Sequence, residues 1–251
     1  MDTTKEFDGL AAVYTIGRPA YANAFINELY NKYGVSSDTI IADIGSGTGK
    51  FAKQLIERGT FVYCIEPNDD MRNQSIIELQ EYRNCKCVAG NAANTSLQDN
   101  SVDFITVAQA FHWFDVELFR NECKRIIRPC GKVFLIWNIR DITSEITQKS
   151  YQIYQKYCPD FKGFNGGIKK DDTRIKHFFN NQYERIEYDN PLYYDKNKFI
   201  NRSLSSSYSL KKEDKDYNNY IKELENLYHE YANEGILSMP NKTVVYIGSA
   251  K

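Results

Sequence analysis

A short apolar segment that leads directly into a glycine-rich turn constrains the fold of this chain most. Ile40–Ile44 is predicted to be a strand, Gly45-Ser-Gly-Thr-Gly49 follows it, and the next apolar residues repeat at helical spacing. Glycines let the backbone turn sharply and approach a ligand, and a helix start offers unpaired N–H groups. The G-x-G-x-G spacing differs from the dinucleotide and phosphate-loop patterns. The turn alone therefore indicates either a nucleoside site or a tight connection.

The same alternation of strand and helix continues to residue 137. Helical spacing covers Met71–Leu79 and resumes after Asp115, which is a suitable N-cap. Pro19 suits the first position of an earlier helix with one apolar face. Such alternation predicts right-handed crossovers and a mostly parallel sheet in an α/β fold. The further predicted strands of this half are Phe61–Ile65, Cys85–Ala89, Phe104–Ala108 and Val133–Trp137.

The pattern changes after residue 140. Apolar spacing predicts helices near residues 142–157 and 217–231, a loop over 161–167 and a Ser/Tyr-rich segment over 204–210. Two late strands are predicted at Tyr183–Tyr188 and Thr243–Ile247. Tyrosine is concentrated here, with 13 of the 19 tyrosines after residue 125. Tyrosine suits surfaces that are apolar on one side and wet on the other.

Composition and charge exclude several classes. Lys and Arg number 32 against 33 Asp and Glu, which argues against a nucleic-acid binder. Met1–Glu6 is polar and no apolar run approaches membrane length, so neither a secretory signal nor a membrane span is expected. Six cysteines with only three histidines favour reduced thiols in a cytoplasmic protein over a metal site.

Glu66 ends the second predicted strand, 21 residues after Gly45. An acid at this place can accept hydrogen bonds from both ribose hydroxyls of a nucleoside. Folds that bind NAD and folds that bind S-adenosylmethionine both place an acid there, so Glu66 supports a nucleoside without choosing between them. Taken alone, it also fits a solvated charge at a strand end.

Several motifs in chain order resemble class I S-adenosylmethionine-dependent methyltransferases, in the branch that includes trans-aconitate methyltransferase-like and ubiquinone-biosynthesis-type enzymes. The segment Ala108-Gln-Ala-Phe-His-Trp-Phe-Asp115 after the fourth strand is the most specific of them. The other matching stretches are Phe7-Asp8, Tyr14, Arg18–Tyr21, Ile41–Lys50, Glu66–Asn68, Met71, Gly90–Ala92, Ser101–Asp103, Arg128-Pro129, Gly131, Trp137-Asn138, Arg140-Asp141, Ser205–Tyr208 and Val245–Gly248. The chain departs from the family pattern at Ala22, Ala93 and Cys130.

The resemblance implies a Rossmann-like α/β fold with a seven-stranded, mostly parallel sheet and an antiparallel last strand. Residues 1–251 would form a single domain, in which a helical cover lies over the active site. Its parts would be an N-terminal lid and helix (1–35), a cofactor-binding core (36–141), substrate cover elements with strand six (142–240) and the last strand (241–251).

The same resemblance implies a set of cofactor-binding residues. Gly45 and Gly47 would let the backbone pass under the methionine part of S-adenosylmethionine, and Ser46 between them belongs to the set. Asp43 would hold the ammonium group directly or through water. Glu66 would hold the ribose. The remaining members are Pro67, Met71 on the adenine face, Asn91 and Ala92 at the adenine edge, Gln109 at the methionine part, and Tyr14 and Arg18 from the N-terminal segment.

The acceptor side carries fewer signals. His112 is a candidate base or substrate-orienting residue, or it simply packs, and Trp113 is a candidate wall of the substrate site. Tyr208 is a candidate lining residue. Arg18, Arg140 and Arg202 are candidate partners of an acidic substrate, and each also fits an ordinary surface arginine. Ser205 and Ser207 either line the pocket or turn the chain.

The implied function is methyl transfer from S-adenosylmethionine, leaving S-adenosylhomocysteine, to a carboxylate or hydroxyl of a small molecule. No metal, nucleic-acid or membrane partner is expected, and the protein is expected to be a monomer or a homodimer. The alternatives are a cofactor-binding protein of the same fold without catalysis, an N-methyltransferase and an NAD-type Rossmann enzyme.

Overall fold

The computed structural model describes residues 19–164, 172–206 and 208–250. Tyr14, Arg18 and Ser207 lie outside this range. The chain divides into two compact units. The first contains residues 1–137, 167–188 and 243–251, and the second contains residues 138–166 and 189–242.

The elements alternate through the first half of the chain. They are α1 (Asn23–Asn31), β1 (Ile40–Ile44), α2 (Lys50–Ile56), β2 (Phe61–Ile65), α3 (Asp69–Leu79), β3 (Cys85–Val88), β4 (Val102–Ala108), a 3₁₀ turn (Phe111–Trp113), α4 (Val116–Ile126) and β5 (Ile127–Arg140). The later elements are α5 (Glu145–Tyr157), α6 (Thr173–Phe178), β6 (Tyr183–Asp189), β7 (Leu192–Tyr194), α7 (Lys196–Leu204), α8 (Tyr217–Tyr231), β8 (Leu237–Met239) and β9 (Asn241–Gly248).

The main sheet has seven strands in the order β3-β2-β1-β4-β5-β9-β6. The pairs β1–β2, β1–β4, β2–β3 and β4–β5 are parallel. The sheet is mostly parallel and its last strand is antiparallel, which confirms the predicted fold class. Strand six, which was expected to accompany the cover elements, lies in the first unit.

The register of the parallel pairs brings the carboxyl ends of the central strands together. Ile44 pairs with Ile65, Asp43 pairs with Thr106, and Ala108 pairs with Ile136. In open parallel sheets, ligands bind outside this edge, where the chain turns from strand to helix. The predicted site residues of β1, β2 and β4 therefore share one edge of the sheet.

The core of the first unit is formed where α1 and α2 cover the central strands. Phe25 and Ile26 of α1 are completely buried, and Phe25 stacks on Phe51 of α2 with ring centroids 6.2 Å apart. The ring of Tyr33 meets Phe134 of β5 edge-on at 5.2 Å. Burial of these side chains stabilises the fold by about 1.5–3 kcal/mol each.

The second unit has its own apolar core and a separate two-stranded antiparallel sheet of β7 and β8. Leu224 and Tyr220 of α8 are fully buried in that core, together with Phe199 of α7 and Tyr154 of α5. The pattern predicted α5 and α8, and it missed α7, β7 and β8. The two missed strands have only three residues each, which is too short to show an alternation of polar and apolar positions.

Side-chain caps explain where the better-defined helices begin. The side chain of Asn68 accepts from the N–H of Met71 at 2.9 Å, and Asp115 caps α4 as predicted. Ser144 and Asp195 cap α5 and α7 in the same way. A cap of this kind stabilises a helix by about 1 kcal/mol, because it pairs an N–H that the helix itself leaves open.

Two predicted starts lie furthest from the observed ones. Pro19 does not begin α1, which starts at Asn23. The backbone before it is held by tertiary contacts, since the Tyr21 N–H donates to Gln54 and the Ala22 N–H donates to Thr243. Likewise β5 begins at Ile127, directly after α4, and its register shifts near the segment where Cys130 adopts a φ of 69°.

All six cysteines are free thiols. Over the described ranges, no group of three or more His, Cys, Asp or Glu side chains is arranged to hold a metal ion. Of the helices in those ranges, none combines the length and the apolar character that crossing a membrane requires.

Candidate functional site

The turn between β1 and α2 packs closely against its neighbours. The N–H groups of Gly45 and Ser46 both donate to the carbonyl of Ile65, at 2.9 and 3.1 Å. A Cβ at position 45 would lie 2.6 Å from the Cβ of Ala110, which follows β4. Because Gly45 also has a φ of 71°, glycine is required there for both backbone conformation and close packing.

Gly47 has a different environment from Gly45. Its φ is 56°, and a Cβ built at this position would meet no atom of the described residues within 4 Å. Its N–H donates to the carboxylate of Glu66 at 2.9 Å. The turn therefore leaves open space directly above its backbone and beside an acid, which is where a ligand can approach.

Asp43 and Ser46 present buried oxygen atoms without hydrogen-bond partners. Thr106 Oγ1 donates to Asp43 Oδ1 at 2.8 Å, whereas Asp43 Oδ2 and Ser46 Oγ have no partner among the described residues. Burial raises the pKa of Asp43 to about 7, against the lowering effect of the Thr106 hydroxyl. Buried polar atoms are usually paired, so these two oxygens are candidates for ligand contacts.

Glu66 is only 8% exposed, yet its carboxylate is well held. It accepts from the N–H of Gly47 and from the N–H of Asn68, both at 2.9 Å. Burial raises its pKa, and these two hydrogen bonds and the charge of Arg72 oppose that shift. A carboxylate has about four lone-pair sites, so two remain for hydroxyl donors.

The residues that follow Glu66, up to the first turn of α3, lie beside this part of the site. Pro67 follows Glu66, and Arg72 Nη1 donates to the backbone oxygens of Glu66 and Pro67 at 2.9 and 3.3 Å. Met71 is 3% exposed. Arg72 thus holds the backbone that carries Glu66. The sequence pattern did not indicate this role of Arg72.

Asn91 and Ala92 form a tight turn after β3. The side-chain oxygen of Asn91 accepts from the N–H groups of Ala93 and Asn94, each at 2.9 Å. That oxygen is therefore already used within the turn, while Ala92 is buried at 9% exposure. The contact of these two residues with an adenine edge stays a prediction.

Gln109, at the end of β4, has a φ of 60° although it is not glycine. Its N–H donates to the carbonyl of Ile136 at 2.8 Å, which continues the pairing of β4 with β5. Non-glycine residues in this region cost free energy and occur often at ligand sites. This backbone conformation supports the predicted position of Gln109 at the sheet edge. The sequence gave no sign of the positive φ.

His112 and Trp113 lie in the 3₁₀ turn after β4. Phe111 anchors the turn in the core, with its ring 5.5 Å from Phe178. The rings of His112 and Trp113 are 4.9 Å apart, and the His112 carbonyl accepts from Arg174 Nη1 at 3.2 Å. Trp113 is 41% exposed, so one large aromatic surface faces solvent.

The remaining candidates belong to the second unit. Tyr208 packs against Phe161 and Tyr154, with ring centroids 4.9 and 5.6 Å apart. Arg202 Nη1 donates to Ser205 Oγ at 3.5 Å. The structure thus gathers Asp43, Gly45, Ser46, Gly47, Glu66, Pro67, Met71, Asn91, Ala92, Gln109, His112 and Trp113 in the first unit and places Tyr208, Arg140 and Arg202 in the second.

Thr106 is a site residue that the pattern did not reveal. It lies on β4 with a completely buried side chain and is the residue that orients Asp43. A threonine in the middle of an apolar strand is also a common strand former, so only the register of β1 against β4 shows what its hydroxyl does.

Part of the chain is similar in sequence to known methyltransferases. Residues 42–135 match the family described as "Methyltransferase domain". A methyltransferase-like protein of Schizosaccharomyces pombe without established function is 31% identical over 161 residues, which cover 64% of this chain and 62% of that protein. An uncharacterised methyltransferase of Mycobacterium tuberculosis is 34% identical over 140 residues, 56% of this chain and 55% of that protein. The chain therefore spans little more than half the length of these relatives.

A solved structure shows the same fold over most of the chain. It is a protein of Anaeromyxobacter dehalogenans with a provisional assignment as a type II methyltransferase. The TM-score is 0.63 at 16% identity, and the match covers 93% of this chain and 98% of the other. At this identity the likeness concerns the fold alone.

Residues 42–135 are thus similar to a methyltransferase domain. The described part of the chain has the fold seen in class I methyltransferases.

Proposed function

We propose that the protein transfers the methyl group of S-adenosylmethionine to an oxygen atom, a carboxylate or a hydroxyl, of a small molecule. The observation that carries the proposal is the edge formed by Asp43, Ser46, Gly47 and Glu66. Within the part of the chain that the structure describes, two buried oxygens lack partners there, a glycine leaves open space, and an acid is held beside it.

These residues fit the cofactor group by group. Asp43 Oδ2 and Ser46 Oγ would accept from the ammonium group of the methionine part, and the cation would favour the ionised form of Asp43. The open space above Gly47 admits the ligand close to the backbone. Glu66 would accept from the ribose hydroxyls with the lone pairs that the backbone leaves free.

When bound, the cofactor would supply a methyl group on a sulfonium. As the acceptor oxygen bonds to the methyl carbon, the carbon–sulfur bond would break and S-adenosylhomocysteine would leave. The protein's task is to align the acceptor oxygen behind the methyl group and to exclude water, and positioning of this kind supplies about 7–11 kcal/mol. The face of Trp113 would stabilise a nearby cation. A carboxylate acceptor needs no base, whereas a hydroxyl acceptor would lose its proton to His112.

A binding experiment separates the leading alternatives. Calorimetric titration should show saturable binding of S-adenosylhomocysteine and no binding of NADH. Binding of NADH in place of S-adenosylhomocysteine would contradict the proposal and favour an oxidoreductase.

A transfer assay then identifies the acceptor. Methyl-labelled cofactor is incubated with separate pools of carboxylic acids, phenols and amines, and label in each product is counted. We expect label in the carboxylic acid or phenol pool. Label only in the amine pool would make the protein an N-methyltransferase, and cofactor binding without transfer to any pool would leave a binding protein of the same fold. Assignment to the trans-aconitate branch rests on this assay.

A further inference from the structure

Arg140, in the last position of β5, is an unusual charged residue of the second unit. Its guanidinium carbon lies 3.9 Å from the centroid of the Phe164 ring, so the planar group stacks on the aromatic face. The terminal nitrogen Nη1 is buried and has no hydrogen-bond partner among the described residues. Within the described ranges Arg140 forms no ion pair.

A buried guanidinium nitrogen without a partner is costly. Arginine stays protonated in proteins, so it cannot avoid the cost by losing its charge. Arg140 as a whole is only partly buried, but a buried polar atom without a partner in a native structure requires an explanation. An anionic ligand that binds to the fork of Nη1 and Nη2 would satisfy it.

The neighbouring carboxylate does not serve as the partner. Asp141 accepts from the N–H of Thr143 at 3.0 Å and from its hydroxyl at 2.6 Å, and it lies 3.9 Å from Lys242 Nζ. These contacts lower the pKa of Asp141, the largest effect being the hydrogen bond from the Thr143 hydroxyl. Asp141 is thus ionised and directed to other groups.

The surroundings of Arg140 are aromatic. The Phe164 ring is 5.8 Å from that of Tyr154 and 5.3 Å from that of Phe161, and Tyr208 continues the cluster at 4.9 Å from Phe161. Tyr154 is 3% exposed, and its hydroxyl is 3.0 Å from Ser203 Oγ. We name these four aromatic residues with Arg140 the Arg140 cluster.

Charge in the Arg140 cluster is positive. Burial raises the pKa of the Tyr154 hydroxyl, and the positive charges of Arg140 and Arg202 both oppose that rise. Two arginines therefore act on one buried phenol. A negative ligand group would be attracted to this place, while the apolar rings would take the remainder of the ligand.

We propose that the Arg140 cluster binds the carboxylate of a small organic acid with an aromatic or aliphatic body. The planar fork of Arg140, held against Phe164, pairs with the carboxylate in two parallel hydrogen bonds. The aromatic rings cover the apolar body of the acid. The proposal concerns binding in the second unit and does not depend on methyl transfer.

Binding of three probe acids tests the proposal. Phenylacetate, benzoate and hexanoate are titrated into the full chain at pH 7 by ligand-observed NMR, with phenylacetamide as the neutral analogue of the first. We expect at least one acid to bind with a dissociation constant in the millimolar range or lower. Phenylacetamide should bind at least about tenfold more weakly than phenylacetate. Binding by none of the three acids, or equal binding of acid and amide, would overturn the proposal.

Variants place the bound acid at the cluster. Arg140→Gln should weaken acid binding by about tenfold or more, since hydrogen bonds to a charged group contribute about 1.5–3 kcal/mol. Arg140→Lys keeps the charge and loses the planar fork. Its affinity for the acids should therefore lie between that of the wild type and that of Arg140→Gln. The exposed Arg83→Gln changes the net charge equally and should bind like the wild type. Unchanged acid binding by Arg140→Gln would contradict the assignment.

Stability distinguishes a ligand site from a structural arginine. If Arg140 is kept for a ligand, the melting temperature of Arg140→Gln without ligand should equal or exceed that of the wild type, because a buried nitrogen without a partner has been removed. A structural role predicts a lower melting temperature and an unchanged affinity for the acids. Binding of S-adenosylhomocysteine should not change in this variant, which separates this test from that of the proposed function.

Discussion

Two carboxylates at the same sheet edge have different environments, and this difference defines their roles. Asp43 is completely buried and receives one hydrogen bond, from Thr106, whereas Glu66 receives two from backbone N–H groups. We therefore expect Asp43 to contact a cationic group of the ligand, whereas two backbone donors already fix the carboxylate of Glu66. The sequence shows both acids at strand ends and cannot show which donors face them.

Replacing Glu66 tests the ribose contact. Glu66→Gln keeps the size of the side chain and removes the charge, so we expect the affinity for S-adenosylhomocysteine to fall by about 10- to 100-fold, equivalent to about 1.5–3 kcal/mol. Calorimetric titration measures the change. The exposed Glu81→Gln serves as the matched control and should bind normally. An unchanged affinity in Glu66→Gln would refute the assignment of this site.

The raised pKa of Asp43 predicts a pH dependence of stability. In the fold its pKa is about 7, above the ordinary value of 3.8. Between these values the unfolded chain has released a proton that the folded chain retains, so a rise in pH favours unfolding. Asp43→Asn removes this effect. The melting temperature of the variant relative to the wild type should therefore increase from pH 5 to pH 8.

The control for this measurement is Asp38→Asn, which changes an exposed carboxylate by the same chemistry. Its melting temperature relative to the wild type should be similar at both pH values. The same relative melting temperature of Asp43→Asn at pH 5 and pH 8 would show that Asp43 titrates like an ordinary carboxyl.

Among elements, the turn between β1 and α2 combines packing with ligand access. Gly45 is needed because Ala110 is close, while Gly47 lies under open space. Both have positive φ, so an alanine at either position is strained by about 1 kcal/mol. The two glycines are equivalent in the sequence pattern, and only packing separates them.

Alanine at the two positions should therefore have different consequences. Gly45→Ala should lower the free energy of unfolding by about 1–3 kcal/mol more than Gly47→Ala, because it also overpacks the contact with Ala110. Gly47→Ala should fold nearly as well as the wild type and lose most of its affinity for S-adenosylhomocysteine. Urea unfolding and calorimetry measure the two effects. A large stability loss in Gly47→Ala with normal affinity would contradict the proposed approach of the ligand.

The elements differ in how far the sequence predicts them. β1 and β2 match the predicted bounds because continuous apolar runs end at turn residues, and α4 matches because Asp115 caps it. The start of α1 was missed because contacts from Gln54 and Thr243, remote in sequence, hold the preceding backbone. Local patterns carry no information about such contacts.

On the scale of the whole molecule, the chain has two units with separate apolar cores. The first contains the candidate cofactor edge and the second contains the Arg140 cluster. Much of the tyrosine of the second half lies in the second core, where Tyr154, Tyr220 and Tyr228 are buried. The single-domain assignment, the cytoplasmic location and the monomeric or dimeric state stay predictions.

Hydrogen exchange followed by mass spectrometry should resolve the two ligand sites. Saturation with S-adenosylhomocysteine should slow exchange in peptides that contain residues 43–49 and 66–71, because their N–H groups lie at the proposed site. Phenylacetate should instead protect peptides that contain residues 138–142 and 154–164. Protection of the same peptides by both ligands would contradict the division proposed here.

The sequence by itself determined the alternation of strands and helices, the glycine turn and the acid at the end of β2, because these depend on local periodicity and on the residues that end each element. Only the tertiary structure decided that Thr106 orients Asp43, that Gly45 packs while Gly47 stays open, and that Arg140 stacks on Phe164. These relations join residues far apart in the chain. They arise from strand register and side-chain packing, which no local pattern encodes.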